Sequence, residues 1–571
     1  MMNNTPKFFC LSLTVLALTA CTSENDTTNA TKTTQPEPHE VIDVVSDENK
    51  KGDTKLPQTP KDKKLMVLHY ESVDQMSTMA IQTTRVGIPQ PMPPIIIEPP
   101  TSSSDRDNYL PTPSNGVFQT SVSPLSTFSV DVDTGSYANV RSYLKMGKKP
   151  PKDAVREEAF INYFDYQYPA PSNKKQPFSL YTEVAPAPWH ADRQLLRLTL
   201  KGYDIPANER KPSNLVFLID VSGSMNEANK LPLLTQSLTL MVNQLSEEDF
   251  VSIVTYAGAT RLALEPTSAK NKTKILNTLK SLKAAGSTNG EGGIQLAYQQ
   301  ALDAKIKNGV NRVILATDGD FNVGTTNIDA LKSIIEEKRK QGISLTTLGF
   351  GRGNYNDAMM EQLADIGDGN HAYIDTLHEA QKVLQRQLSG TVQSIASDVK
   401  IQIEFNPATV KEYRLIGYTN RLLKDEDFNN DAVDAGEIGA GHVVTALYEM
   451  TLAGKAGQID DLKYQQTKQS KENNGELLEV KVRYKLPGES TSKLVKTQVT
   501  PDQITQSFDK ASDDFRFASA VAAFAQKLKA NQYLTTMNYT EIADIARKSR
   551  GEDPFNYRGE FVSLVELAPT L

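Results

Sequence analysis

The sequence predicts an α/β protein: a doubly wound, mostly parallel domain inserted in a β-sandwich, with a small α-rich N-terminal cap and a C-terminal helical element. Two patterns predict this architecture. Between residues 212 and 392, short apolar runs alternate with segments of helical periodicity, which is typical of βαβ units and a parallel sheet. On both sides of that region, segments such as 195–200 and 478–486 alternate apolar and polar residues in period two. Such alternation indicates half-exposed antiparallel strands.

Length and composition exclude several classes of protein. A chain of 571 residues with 39% hydrophobic content can hold several domains. The net charge of -7 comes from mixed signs, so no nucleic-acid partner is expected. The two cysteines are Cys10 and Cys21, so the body of the chain can form neither a disulfide nor a cysteine metal site. The six histidines form no His-Glu-x-x-His pair, and the glycine-rich turns match neither a Gly-x-Ser-x-Gly elbow nor a phosphate loop. No enzyme is therefore predicted.

The N-terminus has the pattern of a lipoprotein signal peptide, assigned to residues 1–20. An apolar segment, 8–20, follows Lys7 and is too short to span a bilayer. It ends in Leu-Thr-Ala-Cys21, which resembles a bacterial lipobox whose cysteine is lipidated, while an ordinary secretory signal is the alternative. Thr22 follows the cysteine, which implies the outer membrane by the lipoprotein sorting rule. We therefore expect a protein of the bacterial cell envelope that is lipid-anchored at Cys21.

Residues 21–115 are interpreted as a disordered tether. They are poor in aromatic residues and rich in Thr, Pro, Asp and Lys, a composition that cannot bury enough apolar surface to order a chain. A flexible chain of this length would set the body roughly 50 Å from the membrane. Segment 65–81 has enough apolar residues to form a short strand or helix that docks on the body.

Residues 116–211 are predicted to form the α-rich cap and the first sandwich strands. A helix capped by Ser136 should reach Lys145, and a second helix should begin at Pro151. Strands are expected at 178–184 and 195–200. Asp131 and Asp133 suggest a metal site, but aspartates in a strand-to-helix turn cap helices so often that capping is the favoured interpretation.

Residues 212–392 form the predicted doubly wound domain, and residues 393–571 complete the sandwich and add helices. The C-terminal part has strand patterns at 399–405 and 478–486, a helical pattern at 517–528, and a last apolar run, 561–565, predicted as a strand. The acidic segment 425–437 has some features of an EF-hand, but Asn430 stands where glycine is required. A solvated loop is favoured there over weak calcium binding.

Oxygen-bearing side chains follow three strand ends of the doubly wound domain. Asp220, Ser222 and Ser224 come directly after the apolar run 214–219, Thr288 lies in a glycine-rich turn, and Asp318 follows a later strand. Open α/β sheets hold their ligands at the carboxyl ends of the strands. Two carboxylates and three hydroxyls are hard ligands, so Mg²⁺ is expected there, with Mn²⁺ or Ca²⁺ as alternatives.

These motifs resemble the von Willebrand factor A (VWA) family, whose Rossmann-like domain carries a metal-ion-dependent adhesion site (MIDAS). The family pattern of Asp-x-Ser-x-Ser, a later Thr and a Thr-Asp-Gly turn is intact in this sequence. More narrowly, the chain resembles the YfbK-like bacterial VWA lipoproteins. The blocks that carry this narrower likeness are 131–141, 160–164, 318–323, 413–418, 434–442 and 555–558.

The resemblance implies a role for each residue of the site and for the protein. Ser222, Ser224 and Thr288 would bind the metal directly, whereas Asp220 and Asp318 would act partly through water. Thr317 and Asp320 are candidates for orienting these ligands. The metal would then bind an acidic side chain of a partner protein. The alternative function is an envelope metal-dependent hydrolase or a channel-associated subunit.

Overall fold

The computed structural model describes residues 106–571, except 289, 320–327, 388–389, 391, 461–462, 464–474 and 535. The described residues all belong to one unit, Ile95–Leu571. Cys21, Asp320 and segment 65–81 lie outside the described residues. Within the described part of the chain, no helix combines the length and the apolar character needed to cross a membrane.

The elements follow one another along the chain in three groups: cap and strands, alternating strands and helices, then strands and helices again. The strands are β1 Phe118–Gln119, β2 Leu125–Ser129, β3 Phe178–Pro186, β4 Arg193–Gly202, β5 Ser213–Asp220, β6 Phe250–Tyr256, β7 Thr260–Ser268, β8 Val310–Thr317, β9 Ser344–Phe350, β10 His371–Ile374, β11 Ser394–Phe405, β12 Val410–Ile416, β13 Ile438–Gly439, β14 Val443–Leu452, β15 Leu478–Lys485 and β16 Lys493–Val499. The α-helices are α1 Gly135–Lys145, α2 Glu157–Asn162, α3 Leu231–Gln244, α4 Lys272–Ser281, α5 Gly290–Asp303, α6 Ile328–Lys340, α7 Asp357–Ile366, α8 Leu377–Gln381, α9 Asp513–Leu528, α10 Tyr539–Lys548 and α11 Tyr557–Leu567.

A six-stranded sheet of order β10-β9-β8-β5-β6-β7 forms the inserted domain. Its strands are parallel except for the edge strand β7. Leu215, Phe217 and Ile219 of β5 pack with α3 and α4 on one face. Val216 and Leu218 pack with α5, α6 and α7 on the other. Burial on both faces explains the continuous apolar run of β5 and confirms the predicted doubly wound domain.

Two antiparallel sheets form the predicted sandwich. The first has the order β1-β12-β14-β4-β3, and the second joins β13, β11, β15 and β16, with β2 paired to β11. Leu196, Leu198 and Leu200 of β4 share one core with Ile401 and Val480 of the second sheet. Strands from both sides of the inserted domain therefore build one sandwich, as predicted.

The outer face of the first sheet is covered by a helical layer. Leu195 of β4 and Leu447 of β14 pack in one cluster with Phe160 of α2, Phe524 of α9 and Phe561 of α11. The N-terminal cap and the C-terminal helices, predicted as separate parts, thus pack against each other. Rather than closing the sandwich core, the C-terminal helices add a layer outside it.

The strand predicted at 561–565 is wrong, because this segment lies within α11. Phe561, Leu564 and Val565 are buried, and their spacing of three and four residues places them on one helix face. A short apolar run does not by itself distinguish a strand from a helix. The tertiary contacts with Phe164 and Phe517 decide the case here.

The two predicted helix starts in the cap also differ from the structure. The first helix begins at Gly135, and Ser136 does not cap it. Instead, Ser136 Oγ donates to the carbonyl of Ala154 at 2.6 Å and accepts from the amide of Arg156 at 3.0 Å. The second helix begins at Glu157 after a 3₁₀ turn at Lys152–Ala154. The serine thus fixes the connection between the two helices.

The last ten residues assigned to the tether are packed on the body. The Arg106 amide donates to the carbonyl of Gly353 at 3.2 Å, and the Asn108 amide donates to the carbonyl of Tyr355 at 2.8 Å. Asp107 Oδ1 accepts from the amides of Gly353 and Tyr355, each at 2.9 Å. Composition misses this packing because it depends on contacts with distant residues: Tyr109 packs against the helical layer, and Asn115 Nδ2 donates to the carbonyls of Leu415 and Gly417.

Candidate metal centre

Three backbone contacts hold the loops at the carboxyl edge of the parallel sheet together. The amide of Val221 donates to the carbonyl of Tyr256 at 3.0 Å, the amide of Gly223 to that of Gly286 at 2.9 Å, and the amide of Ala285 to that of Val221 at 2.8 Å. The turn after β5 is therefore fixed against the loop that leads to α5. Since this loop carries Thr288, half-buried in the structure, the predicted ligands share one edge of the sheet.

Asp220 is the centre of the site's hydrogen bonds. It is fully buried, and its Oδ1 accepts from the amide of Ser222 at 2.8 Å. Its Oδ2 accepts from Thr317 Oγ1 at 3.0 Å and from the hydroxyl of Tyr256 at 3.2 Å. Thr317 therefore contacts a predicted ligand, as its proposed orienting role requires. Sequence reasoning missed Tyr256, although it ends a strand adjacent to β5.

The two serines of the Asp-x-Ser-x-Ser motif lie side by side. Ser222 Oγ and Ser224 Oγ are 3.0 Å apart; Ser222 is buried and Ser224 half-buried. Two hydroxyl oxygens at this separation can bind one cation, because adjacent ligands of Mg²⁺ at about 2.0–2.1 Å lie roughly 3 Å apart. The turn therefore presents its hydroxyls in a suitable arrangement for a hard metal ion.

Asp318 forms a buried ion pair that the sequence did not reveal. Lys230 Nζ lies 3.0 Å from Asp318 Oδ2, and both side chains are almost completely buried, at 4% and 0% exposure. The stem of Lys230 passes Gly351, whose φ is +69° and whose Cβ, if present, would lie 2.4 Å from the lysine Cε. Glycine at 351 thus leaves room for the lysine. Lys230 stands just before α3, where a lysine is usually solvent-exposed, so no local signal identifies it.

The Thr-Asp-Gly turn needs its glycine. Gly319 has a φ of +93°, and a Cβ there would lie 2.4 Å from the amide nitrogen of Asn356. A side chain at 319 would therefore strain the backbone and push the turn away from the loop before α7. The same loop pairs with residues 106–108, so the first described residues lie beside this turn.

The donor set and its charge fit a hard divalent cation. Carboxylate and hydroxyl oxygens are the ligands that Mg²⁺, Mn²⁺ and Ca²⁺ prefer. Burial, with a contribution from Asp318, raises the pKa of Asp220 to about 6, although hydrogen bonds from Ser222 and Thr317 act in the opposite direction. Asp220 and Asp318 together carry more negative charge than Lys230 neutralises. A cation would relieve the cost of burying both carboxylates.

The raised pKa of Asp220 predicts a pH dependence of the metal-free protein. Its folded-state pKa of about 6 exceeds its ordinary value of 3.8, so the folded state binds more protons between these pH values. The free energy of unfolding should therefore fall as pH rises from 4 to 6, by at most about 3 kcal/mol. Denaturant titrations in chelator should show this loss for the native chain and not for Asp220→Asn. Parallel pH profiles would contradict it.

Lys230 is expected to weaken metal binding, because its ammonium group repels a dication and competes for Asp318. Lys230→Met should strengthen Mg²⁺ binding about tenfold, since removing a unit charge a few ångströms from the metal changes the free energy by about 1–4 kcal/mol. Calorimetric titration would measure it. Lys272→Met removes a lysine of α4 that bonds to the carbonyl of Asn243 and should leave the affinity unchanged. Weaker binding by Lys230→Met would mean that the lysine positions Asp318 instead of competing with the metal.

Three family models match successive parts of the chain. Residues 214–387 match the von Willebrand factor type A domain family, 390–571 the family described as uncharacterized protein YfbK, C-terminal, and 103–197 the family described as von Willebrand factor. Over 462 residues the chain is 47% identical to the uncharacterized protein YfbK of Escherichia coli (strain K12), covering 80% of each chain. Inter-alpha-trypsin inhibitor heavy chain H4 of Homo sapiens is 33% identical over 162 residues, which are 27% of this chain and 17% of that protein.

A solved structure titled von Willebrand factor type A from Catenulispora acidiphila is 15% identical, with a TM-score of 0.38, and the match covers 69% of this chain and 91% of that chain. The family assignment rests on the sequence matches, chiefly on the high identity and long coverage of the Escherichia coli relative. The chain belongs to the YfbK family of VWA-domain proteins.

Proposed function

We propose that this protein is a lipid-anchored component of the bacterial cell envelope whose VWA domain binds Mg²⁺ and, through it, an acidic side chain of a partner protein. The observation that carries the proposal is the convergence of Asp220, Ser222 and Ser224 with the buried Asp318 at one edge of the parallel sheet. VWA domains generally mediate protein interactions, and this chain has a complete set of the oxygen ligands that the family uses.

Each residue of the site has a distinct part in the proposal. Ser222, Ser224 and Thr288 would hold the cation directly, and Asp220 and Asp318 would act partly through water. The bound cation would supply an electrophilic position for an external carboxylate. Thr317 and Tyr256 keep the Asp220 carboxylate in one orientation through their hydroxyl groups. Such oriented partners raise the affinity of a metal site by about 10–100-fold.

Two residues on the described part of the rim of the site are exposed to solvent. Gly223 of the serine turn and Ser287 of the neighbouring loop are exposed, whereas Asp220 beneath them is fully buried. The polar floor and the open rim support a ligand that approaches from solvent and contributes one carboxylate. An acidic side chain on a protein surface has this chemistry.

The alternative functions have less support. A hydrolase needs an acid or a base beside the metal, and His371, the histidine buried in this domain, is bonded elsewhere: its Nδ1 lies 2.9 Å from Thr347 Oγ1 and its Nε2 lies 2.8 Å from the Tyr355 hydroxyl. No observation favours a channel-associated subunit. The metal-bridged contact with a protein partner therefore remains the proposal.

Crosslinking of the native lipoprotein in envelope preparations tests the metal bridge. Partners should be captured in Mg²⁺, lost in chelator and recovered when Mg²⁺ is restored. Asp220→Ala should capture none of them. Asp249→Asn changes a carboxylate that bonds to the Ser213 and Ser246 amides at the other end of the domain, and this control should capture the same partners. Partners that persist after chelation would contradict the proposal.

The lipid anchor is tested separately. Cys21→Ser should remove the fatty acid from the N-terminus and move the protein from the membrane fraction to the soluble fraction, since several acyl chains together give stable membrane binding. Mass spectrometry of the mature N-terminus would show which residue is modified. A native chain without lipid would contradict this part and leave the metal site unaffected.

A further inference from the structure

An acidic cavity of about 240 Å³ lies apart from the MIDAS-like site. It is formed where the β2–α1 connection, the end of α7 and the loops 420–423 and 434–437 come together. Its lining includes the carboxylates of Asp131, Asp133, Asp365, Asp368, Asp434 and Glu437, and one basic side chain, that of Arg421. Two segments set aside in the sequence analysis, one with Asp131 and Asp133 and one with Asp434 and Glu437, thus meet here.

Three carboxylates beside the cavity are close enough to share one cation: Asp131 and Asp133 line the cavity, and Glu361 lies next to them. Asp131, Asp133 and Glu361 each offer an oxygen atom within 4.8 Å of the other two. All three are buried, with 2–4% exposure. Asp133 Oδ2 accepts no hydrogen bond from the described residues, and Arg421 Nη2 lies 3.6 Å from it. A buried carboxylate oxygen without a hydrogen bond is costly, and it lines the cavity.

The three carboxylates are held in fixed orientations. Asp131 Oδ1 accepts from the amide of Asp133 at 2.8 Å, and Asp133 Oδ1 accepts from the amide of His371 at 2.7 Å. Glu361 Oε1 accepts from Asn420 Nδ2 at 2.7 Å. Oriented ligands and an entry path from solvent are features that a metal site requires.

The charges around this cluster do not balance. Its ion pairs involve the carboxylates of Asp131, Asp133, Asp357, Glu361 and Asp365 and the guanidinium groups of Arg156 and Arg421. Carboxylates thus outnumber the guanidinium groups in this buried network. Burial and the neighbouring Asp131 raise the pKa of Asp133 well above its ordinary value. Either a proton or a cation must compensate part of this charge.

We propose that Asp131, Asp133 and Glu361 form a second divalent-cation site, selective for Ca²⁺ over Mg²⁺ and reached through the acidic cavity. Ca²⁺ accepts several carboxylates in a flexible shell of about six to eight oxygens, whereas Mg²⁺ demands a near-ideal octahedron and usually binds through one or two carboxylates. Three carboxylates therefore favour the larger ion, whose remaining ligands would be water from the cavity.

This site would join separate parts of the molecule. Asp131 and Asp133 belong to the connection between β2 and α1, whereas Glu361 lies in α7 of the inserted domain. Arg421, from the loop after β12, already pairs with Asp131 at 3.0 Å and with Asp365 at 2.7 Å. A bound Ca²⁺ would thus cross-link the N-terminal part and the VWA domain. This proposal does not depend on the MIDAS-like site or on its partner.

Calcium titration of the mature chain carrying Asp220→Ala tests the proposal, because that substitution removes the first site. We expect this chain to bind one equivalent of Ca²⁺ with a Kd below about 1 mM and to bind Mg²⁺ at least about tenfold more weakly. Adding Asp133→Asn should weaken Ca²⁺ binding at least about tenfold. Ca²⁺ should also raise the melting temperature of the Asp220→Ala chain and not of the double variant.

Substitution of a nearby carboxylate distinguishes direct binding of the metal from a general effect of negative charge. Asp434→Asn removes one carboxylate from the same cavity, but Asp434 pairs with Arg339 at 2.5 Å and is outside the proposed ligand set. In the Asp220→Ala background it should change the Ca²⁺ affinity by less than about threefold. If Asp133→Asn fails to fold, Glu361→Gln replaces it. The proposal is overturned if the Asp220→Ala chain binds no Ca²⁺, or if the ligand variants bind Ca²⁺ as tightly as Asp434→Asn.

Discussion

Asp220→Ala is expected to weaken Mg²⁺ binding by at least about 100-fold. The carboxylate of Asp220 accepts hydrogen bonds from Ser222, Thr317 and Tyr256, so the substitution removes a proposed ligand and also the group that organises the serine turn. Loss of an orienting partner alone costs a metal site about 10–100-fold. Calorimetric titration of the purified mature chain with Mg²⁺ measures the affinity directly.

The matched control is Asp249→Asn in the same domain. Asp249 is buried, with 8% exposure, and its carboxylate accepts from the amides of Ser213 and Ser246, each at 2.7 Å. These bonds lie at the amino end of β5, away from the carboxyl edge that carries the proposed ligands. The control should lose stability and keep its Mg²⁺ affinity. Unchanged affinity in Asp220→Ala would disprove the assignment of the metal centre.

Arg141→Ala should lower the free energy of unfolding by about 3–5 kcal/mol, the range for removing one partner of a buried ion pair. Arg141 has 1% exposure and pairs with Asp375 at 2.5 Å, Glu379 at 2.8 Å and Glu560 at 3.1 Å. It connects α1 to the last part of the VWA domain and to α11. The substitution would leave Asp375 and Glu379 buried without this cation, a larger cost than the lost contacts alone.

A surface arginine provides the control for this experiment. Arg547 is half-exposed and pairs with Asp544 at 2.5 Å and with Glu566. Because solvent screens exposed pairs, Arg547→Ala should cost less than about 1 kcal/mol. Denaturant unfolding followed by circular dichroism compares the two variants. A loss below 1 kcal/mol for Arg141→Ala would show that the buried network does not hold the helical layer to the VWA domain.

Local patterns in the sequence predict the buried and half-buried strands and the sheet edge that carries the candidate ligands. The run 214–219 is apolar at every position but the first because both faces of β5 are buried, and the alternation in β15 marks a strand with one buried and one half-buried face. The same alternation in β4 does not mark an exposed face, because its polar residues Arg197 and Thr199 are buried as well. The order of Asp220, Ser222, Ser224, Thr288 and Asp318 then identifies a shared sheet edge, because parallel strands end on the same side. These inferences depend on period and on chain direction, both of which are local.

Only the tertiary structure decided the remaining features. Lys230 meets Asp318 across 88 positions of sequence, and Asp131 and Asp133 reach Glu361 across more than two hundred. The run 561–565 is equally compatible with a strand or a helix until its neighbours are known. The physical reason is that the periodicity of apolar residues along a segment shows which of its faces are buried. The partner of each side chain depends on the path of the whole chain. The partners of the buried charged side chains are therefore known only from the folded molecule.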